Sequence, residues 1–161
     1  MAGAFALAKK AERVPGSSPI GCLLVIGCLL VIGGQVVAEG YNEVGLRHDP
    51  TAHAEMVAIR RAGAVLERTE LQGATLYSTL EPCGMCTTAS IWSRIDRVVY
   101  GVGRADVHKM YFEDRHLDTM NVIRDAYRKH MLVVAGVMGT ECAALYYGPD
   151  DDPPPEEQGN I

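Results

Sequence analysis

The stretch from Thr79 to Cys86, Thr-Leu-Glu-Pro-Cys-Gly-Met-Cys, holds the residue types best suited to chemistry in this sequence. Cys83 and Cys86 are separated by two residues, so both thiolates reach one metal ion from a single turn of chain. Pro82 suits the first position of a helix, where the amide it lacks has no partner anyway. A helix beginning there aims its positive end at the sulfurs and favours the thiolates that bind metal. Two thiolates are too few for a catalytic zinc. Upstream, Thr51 to Glu55 (Thr-Ala-His-Ala-Glu) adds His53 and, two residues later, the carboxylate of Glu55. Taken singly, His53 reads as a surface or capping histidine and Glu55 as an exposed helix acid. Taken together with the cysteines, they give three nitrogen and sulfur donors and a fourth position for water. That is the pattern of a catalytic rather than a closed structural zinc site.

His53-Ala-Glu55 followed by Pro82-Cys-Gly-Met-Cys86 resembles the signature of zinc-dependent nucleobase deaminases. From about Pro19 to Tyr147 the chain resembles the cytidine and deoxycytidylate deaminase superfamily. Within it, the guanine deaminases and tRNA adenosine deaminases are most similar. The resemblance implies a three-layer α/β/α sandwich around a five-stranded mixed sheet, and a homodimer whose partner helps close the pocket. It also implies zinc held by His53, Cys83 and Cys86, with hydrolytic deamination of an amino-substituted ring. The zinc would lower the pKa of its water. Glu55 would take the proton, deliver it to a ring nitrogen and help protonate the leaving amine. Glu81 reads either as structural, paired with backbone amides, or as a second proton relay.

The substrate is read from three further places. Asn42 is by itself a turn residue, and the resemblance makes it a substrate contact. Trp92 stands six residues after Cys86, where guanine deaminases carry tryptophan and tRNA adenosine deaminases typically histidine; taken alone, Ile91-Trp92 in a helix is core. Tyr111 to Asp114 (Tyr-Phe-Glu-Asp) is similar to the segment through which guanine deaminases place a carboxylate on the base. Asp114, with Glu113 as fallback, would accept two hydrogen bonds from the N–H and amino edge of guanine and reject bases lacking them. The other reading of Glu113 to Asp118 is a solvated charge run. Gly84 departs from both groups, which usually have Pro or Val there. The acidic, proline-rich tail also departs from the guanine deaminase terminus, which leaves room for a smaller pyrimidine or triazine ring.

These features favour an aminohydrolase of a free nucleobase such as guanine, isocytosine or cytosine. The alternative is a tRNA wobble adenosine deaminase, which the similar stretches Asp49 to Glu55 and Glu141 to Leu145 support. A third reading, a structural zinc or interaction protein without catalysis, is at odds with the retained Glu55.

A length of 161 residues suits one domain, and 48% hydrophobic with 22% charged residues describes an ordinary globular protein. The domain is expected over 1–148, with a solvated acidic tail over 149–161. Asp150, Asp151, Asp152, Glu156 and Glu157 lie in that tail, which leaves 15 acids against 15 bases in the body. No basic block announces nucleic acid, so the expected partner is a small nucleobase. Five cysteines without a secretory signal fit a reducing cytoplasm.

Along the chain, a short amphipathic helix is expected over Ala4 to Arg13, broken by Pro15 to Pro19. Gly21 to Ile26 (Gly-Cys-Leu-Leu-Val-Ile) is then repeated letter for letter at Gly27 to Ile32. One copy suffices for a strand. The duplication reads as an insertion in that strand, as an irregularity of the sequence, or, least well, as a membrane span, for which the run is too short. Gly33-Gly34 predicts a hairpin into a return strand over Gln35 to Glu39. A helix over about Thr51 to Ala62, a central strand over Ala74 to Thr79 and a helix over Pro82 to Ser93 should follow. A strand over Arg97 to Tyr100, parallel to the central one, comes next. Leu132 to Val137 and Gly139 to Tyr147 close the domain as strand and helix.

Overall fold

The computed structural model describes residues 1–11, 28–112, 117, 119–127 and 131–155. The first copy of the repeated hexapeptide lies outside them. The second supplies β1 (Cys28–Ile32), and Gly33 and Gly34, with φ of 58° and 82°, turn the chain into β2 (Gln35–Gly40). Positive φ at both turn positions matches the right-handed twist of a two-residue hairpin, and glycine adopts it without a Cβ clash. The sheet continues through β3 (Ala74–Leu80), β4 (Arg97–Val102) and β5 (Leu132–Val134), in the order β2-β1-β3-β4-β5. β1 is antiparallel to β2 and β3, whereas β3, β4 and β5 are mutually parallel. The five-stranded mixed sheet agrees with the expected fold.

Because side chains alternate along a strand, β3 serves both faces of the sheet. Ser78 faces α3 (Ala54–Leu66), and Thr79 faces the segment after α6 (Gly139–Ala143), where its hydroxyl lies 2.7 Å from the Tyr146 phenol. The N-terminal helix, α1 (Ala2–Ala11), packs on β1 and β3 with Ala4 and Ala8 fully buried. The short α2 (Val44–Arg47) follows β2. On the α3 side, α4 (Gly84–Trp92) packs between α3 and α5 (Thr119–Asp125).

The α3 layer lies close to the sheet because its inward residues are small. Ala54, Ala58 and Ala62 are fully buried. A Cβ at Gly40 would collide with the Ala54 carbonyl, so glycine at the end of β2 sets how near the start of α3 can come. Gly101 does the same on the opposite face, where a Cβ would meet the Cys142 side chain of α6. Leu71, Leu76, Leu80, Val98 and Leu145 fill the core between the layers. Truncating one of them to alanine would cost about 2–5 kcal/mol.

Several boundaries differ from the sequence expectation. α3 begins at Ala54 and α4 at Gly84, so His53 and Cys83 are N-caps with extended backbones (ψ 155° and 172°), and Pro82 stands outside the helix. α6 ends at Ala143 rather than Tyr147, where the Tyr147 N–H donates to the Tyr111 hydroxyl at 3.0 Å instead of to a helical carbonyl. β5 stops at Val134, two residues before Gly136 turns with φ 77°. At the start of the expected solvated tail Asp150, Asp151 and Asp152 are exposed, Asp151 and Gly148 close a turn, and Pro153 is buried. Among the described residues, no helix is long and apolar enough to cross a membrane.

Candidate active site

Two helix starts meet at one corner of the sheet. His53 caps α3 and Cys83 caps α4, with Cys86 in the first turn of α4. His53 Nδ1 lies 3.7 Å from Cys83 Sγ and 3.7 Å from Cys86 Sγ, and the three ligand atoms fall within 4.8 Å of one another. Tetrahedral zinc with ordinary Zn–S and Zn–N bonds requires about 3.6 Å between such atoms. The donor set therefore fits zinc as it stands, through Nδ1 rather than Nε2. Among the described residues the group consists of these three donors.

The electrostatics of this corner point the same way. A hydrogen bond from Cys86 outweighs burial and, with His53, holds the Cys83 thiol down to about 4. The same contact, with burial, pushes Cys86 well above its ordinary value, so the pair shares one proton that a divalent cation would displace. Burial opposes charge on His53, but the hydrogen bond with Cys83 and the nearby Glu55 carboxylate raise its pKa overall.

Glu55 sits in the first turn of α3, only 2% exposed. Burial, then the Cys83 sulfur, push its carboxyl above the usual range, while His53 and Ser78 oppose the shift. Its Oε2 lies 3.6 Å from Cys86 Sγ, and its Oε1 accepts a hydrogen bond from the Ser78 hydroxyl at 3.2 Å. Sequence reading placed Ser78 only within a strand. The available signal was a small polar residue at an inward position of an otherwise apolar strand face.

Glu81 is also buried, but its carboxylate turns to main-chain amides, accepting from Arg104 N–H at 3.0 Å and Thr119 N–H at 3.4 Å. The Thr119 hydroxyl donates to the Pro82 carbonyl at 3.0 Å. Glu81 thus braces the metal-binding turn against the start of α5, which is the structural arm of the two readings. Asn42 enters α2 with its Oδ1 accepting the Val44 N–H at 3.0 Å. The adjacent Glu43 is buried and paired with Arg47 and, at 2.6 Å, with Arg61, which also donates to the Glu39 carbonyl. This pairing fixes the loop that carries Asn42.

Trp92 is not brought to the metal corner. It closes α4, about 13 Å along the helix from Cys83, and is 73% exposed in a groove of about 480 Å³ with Ile91, Val122 and Tyr127. Asp114 and Glu113 lie outside the described residues.

Comparison with known proteins agrees with this geometry. Residues 1–102 match the family described as the cytidine and deoxycytidylate deaminase zinc-binding region. The tRNA-specific adenosine deaminase of Buchnera aphidicola subsp. Schizaphis graminum is 37% identical over 130 residues, covering 81% of this chain and 78% of that protein. The guanine deaminase of Bacillus subtilis is 42% identical over 96 residues, covering 60% of this chain and 58% of that protein. A solved structure from work on A-to-I editing by tRNA:A34 deaminases superposes with a TM-score of 0.71 at 32% identity, covering 90% of this chain and 96% of the other. With a zinc-fitting His-Cys-Cys corner, a buried glutamate beside it and this likeness over most of its length, the chain belongs to the cytidine and deoxycytidylate deaminase family of zinc-binding deaminases.

Proposed function

We propose that this chain deaminates adenosine to inosine at the wobble position of a tRNA anticodon. The observation that carries the reading is the extent of the likeness. Four bacterial tRNA-specific adenosine deaminases are 36–37% identical over 81–88% of the chain, whereas the Bacillus subtilis guanine deaminase matches 60% of it. Of the two residues that leaned toward the free-base reading, Trp92 lines a groove away from the donor cluster, and Asp114 lies outside the described residues. An RNA therefore replaces the small nucleobase as the proposed partner.

His53, Cys83 and Cys86 would hold the zinc, which when bound supplies a Lewis-acid centre that makes water nucleophilic near neutral pH. Glu55 is the proton carrier. As a carboxylate it takes a proton from the attacking water, passes it to the ring nitrogen beside the reacting carbon, and helps the departing nitrogen leave as ammonia. Asn42, held by its turn and by the Glu43 pairing, would offer its side-chain N–H to an acceptor nitrogen of the purine. Glu81 keeps the cysteine turn fixed through the Arg104 and Thr119 amides. Arg47 and Arg61, paired with Glu43, and Arg60, paired with Asp49, flank the Asn42 loop with partly exposed side chains that would lie near the phosphates of a bound RNA. A cytoplasmic homodimer completes the proposal, with the apolar groove of Trp92 and Tyr127 as the covered surface.

The test is a zinc-loaded preparation given an anticodon stem-loop with adenosine at the wobble position and, separately, guanine, isocytosine, cytosine and adenine. Inosine in the digested RNA, a KM that rises with salt, and no ammonia from the free bases are expected. Ammonia from guanine or isocytosine with unmodified RNA would return the chain to the free-base class.

A further inference from the structure

The two oxygens of Glu55 have different surroundings. Oε2 faces Cys86 Sγ at 3.6 Å, on the metal side, while Oε1 receives the hydroxyl of Ser78 at 3.2 Å from the sheet beneath. Ser78 is completely buried, and its backbone is fixed between β1 and β4, opposite Cys28 and Tyr100. The terminal torsion of a glutamate is broad, so packing along the chain does not by itself decide which oxygen points where. A hydrogen bond from a hydroxyl anchored in a sheet does decide it, and the bond is strengthened when its acceptor is charged.

We propose that Ser78 is a positioning residue for the deamination, tethering Oε1 so that Oε2 alone takes and returns the proton. This rests on the reading of Glu55 as the general base. In the first step a water O–H bond breaks, the oxygen bonds to the ring carbon, and the proton forms a new O–H bond with Oε2. The proton then passes to the ring nitrogen. In the second half Oε2 takes the remaining proton of the new C–O–H group and delivers it to the amino nitrogen. The C–N bond breaks with its electron pair going to nitrogen, ammonia leaves as the C=O bond forms, and Glu55 ends as the carboxylate. Ser78 donates throughout and exchanges no proton. Without it, the carboxylate can rotate about its last bond, and both oxygens compete for the proton in geometries of which only one is productive.

Ser78→Ala in the zinc-loaded full chain is expected to keep its zinc and its KM while kcat falls about tenfold, the scale of one hydrogen bond to a charged group. Ser78→Thr, which retains the hydroxyl, should recover most of the loss. Subtracting the infrared spectrum of Glu55→Gln from that of the wild type isolates the Glu55 carboxylate band. That band should shift in Ser78→Ala and return in Ser78→Thr. Adding Ser78→Ala to Glu55→Gln should cost nothing further. An unmoved band, a wild-type kcat in Ser78→Ala, or a loss that lies in KM or zinc content and persists in Ser78→Thr overturns the proposal. An active Glu55→Gln enzyme instead overturns the general-base reading itself, so the two failures are told apart.

Discussion

The two ends of α4 are built on different rules. At its start, Cys83 and Cys86 join His53 within 4.8 Å, flanked by a buried carboxylate and braced by Glu81. At its far end, Trp92 is 73% exposed in an apolar groove shared with Tyr127 of the segment after α5. The first end is made of short-range geometry, since two helix caps and a two-residue spacing suffice to gather the ligands. The second is an open apolar groove, and in the proposed homodimer it is the surface that a second copy covers. The donor cluster and the exposed groove are thus separated along one helix by about 13 Å.

Substitutions at the two ends should separate in the same way. The largest effect belongs to the metal corner: Cys83→Ser or Cys86→Ser should lose the zinc, by metal analysis, and with it all measurable turnover. Full zinc occupancy in either variant would break the contrast at its root. Next comes Glu43→Gln, which leaves Arg47 and Arg61 without their shared carboxylate. It should lower stability by about 2 kcal/mol in denaturant titration and raise KM through the Asn42 loop, with zinc unchanged. Trp92→Ala should keep its zinc and weaken self-association about tenfold in sedimentation, the scale of one buried aromatic anchor. A zinc loss there would join the two ends that the structure separates.

The smallest effect is one of reactivity. In the metal-free protein the Cys83 pKa is depressed to about 4, so this thiol is ionised across the neutral range. Cys86 is shifted upward, and burial pushes Cys142 to about 11, so both stay protonated there. Iodoacetamide at pH 6 should therefore label Cys83 first, as read by peptide mapping, and zinc should protect it. Preferential labelling of Cys142 would contradict the assigned environments.

Much of the fold was legible because its signals are local. Gly33-Gly34 marked the hairpin, and alternation and motif spacing marked β3 and the helices on either side. The metal set was legible for the same reason, since cap position and residue type coincide at His53 and Cys83. Errors arose where distant partners intervene. α4 starts two residues late because Cys83 takes the extended cap conformation, and α6 stops early because Tyr111 and Thr79 claim Tyr147 and Tyr146. The Ser78–Glu55 contact spans 23 residues, and the Glu43–Arg61 pair 18. No spacing rule announces such pairs, because they meet only after the sheet has formed. Trp92 was ambiguous in another way: an aromatic in an apolar helix reads as core or pocket alike, and only its 73% exposure takes it out of the core.

The most direct test of the account measures zinc content and inosine formation on the same preparations of the wild type and Glu55→Gln. The account predicts one zinc per chain in both, with turnover in the wild type and a loss of about a thousandfold or more in Glu55→Gln, within the range general acid–base catalysis contributes. Substantial turnover by Glu55→Gln, or undiminished turnover by wild type stripped of zinc, would contradict it.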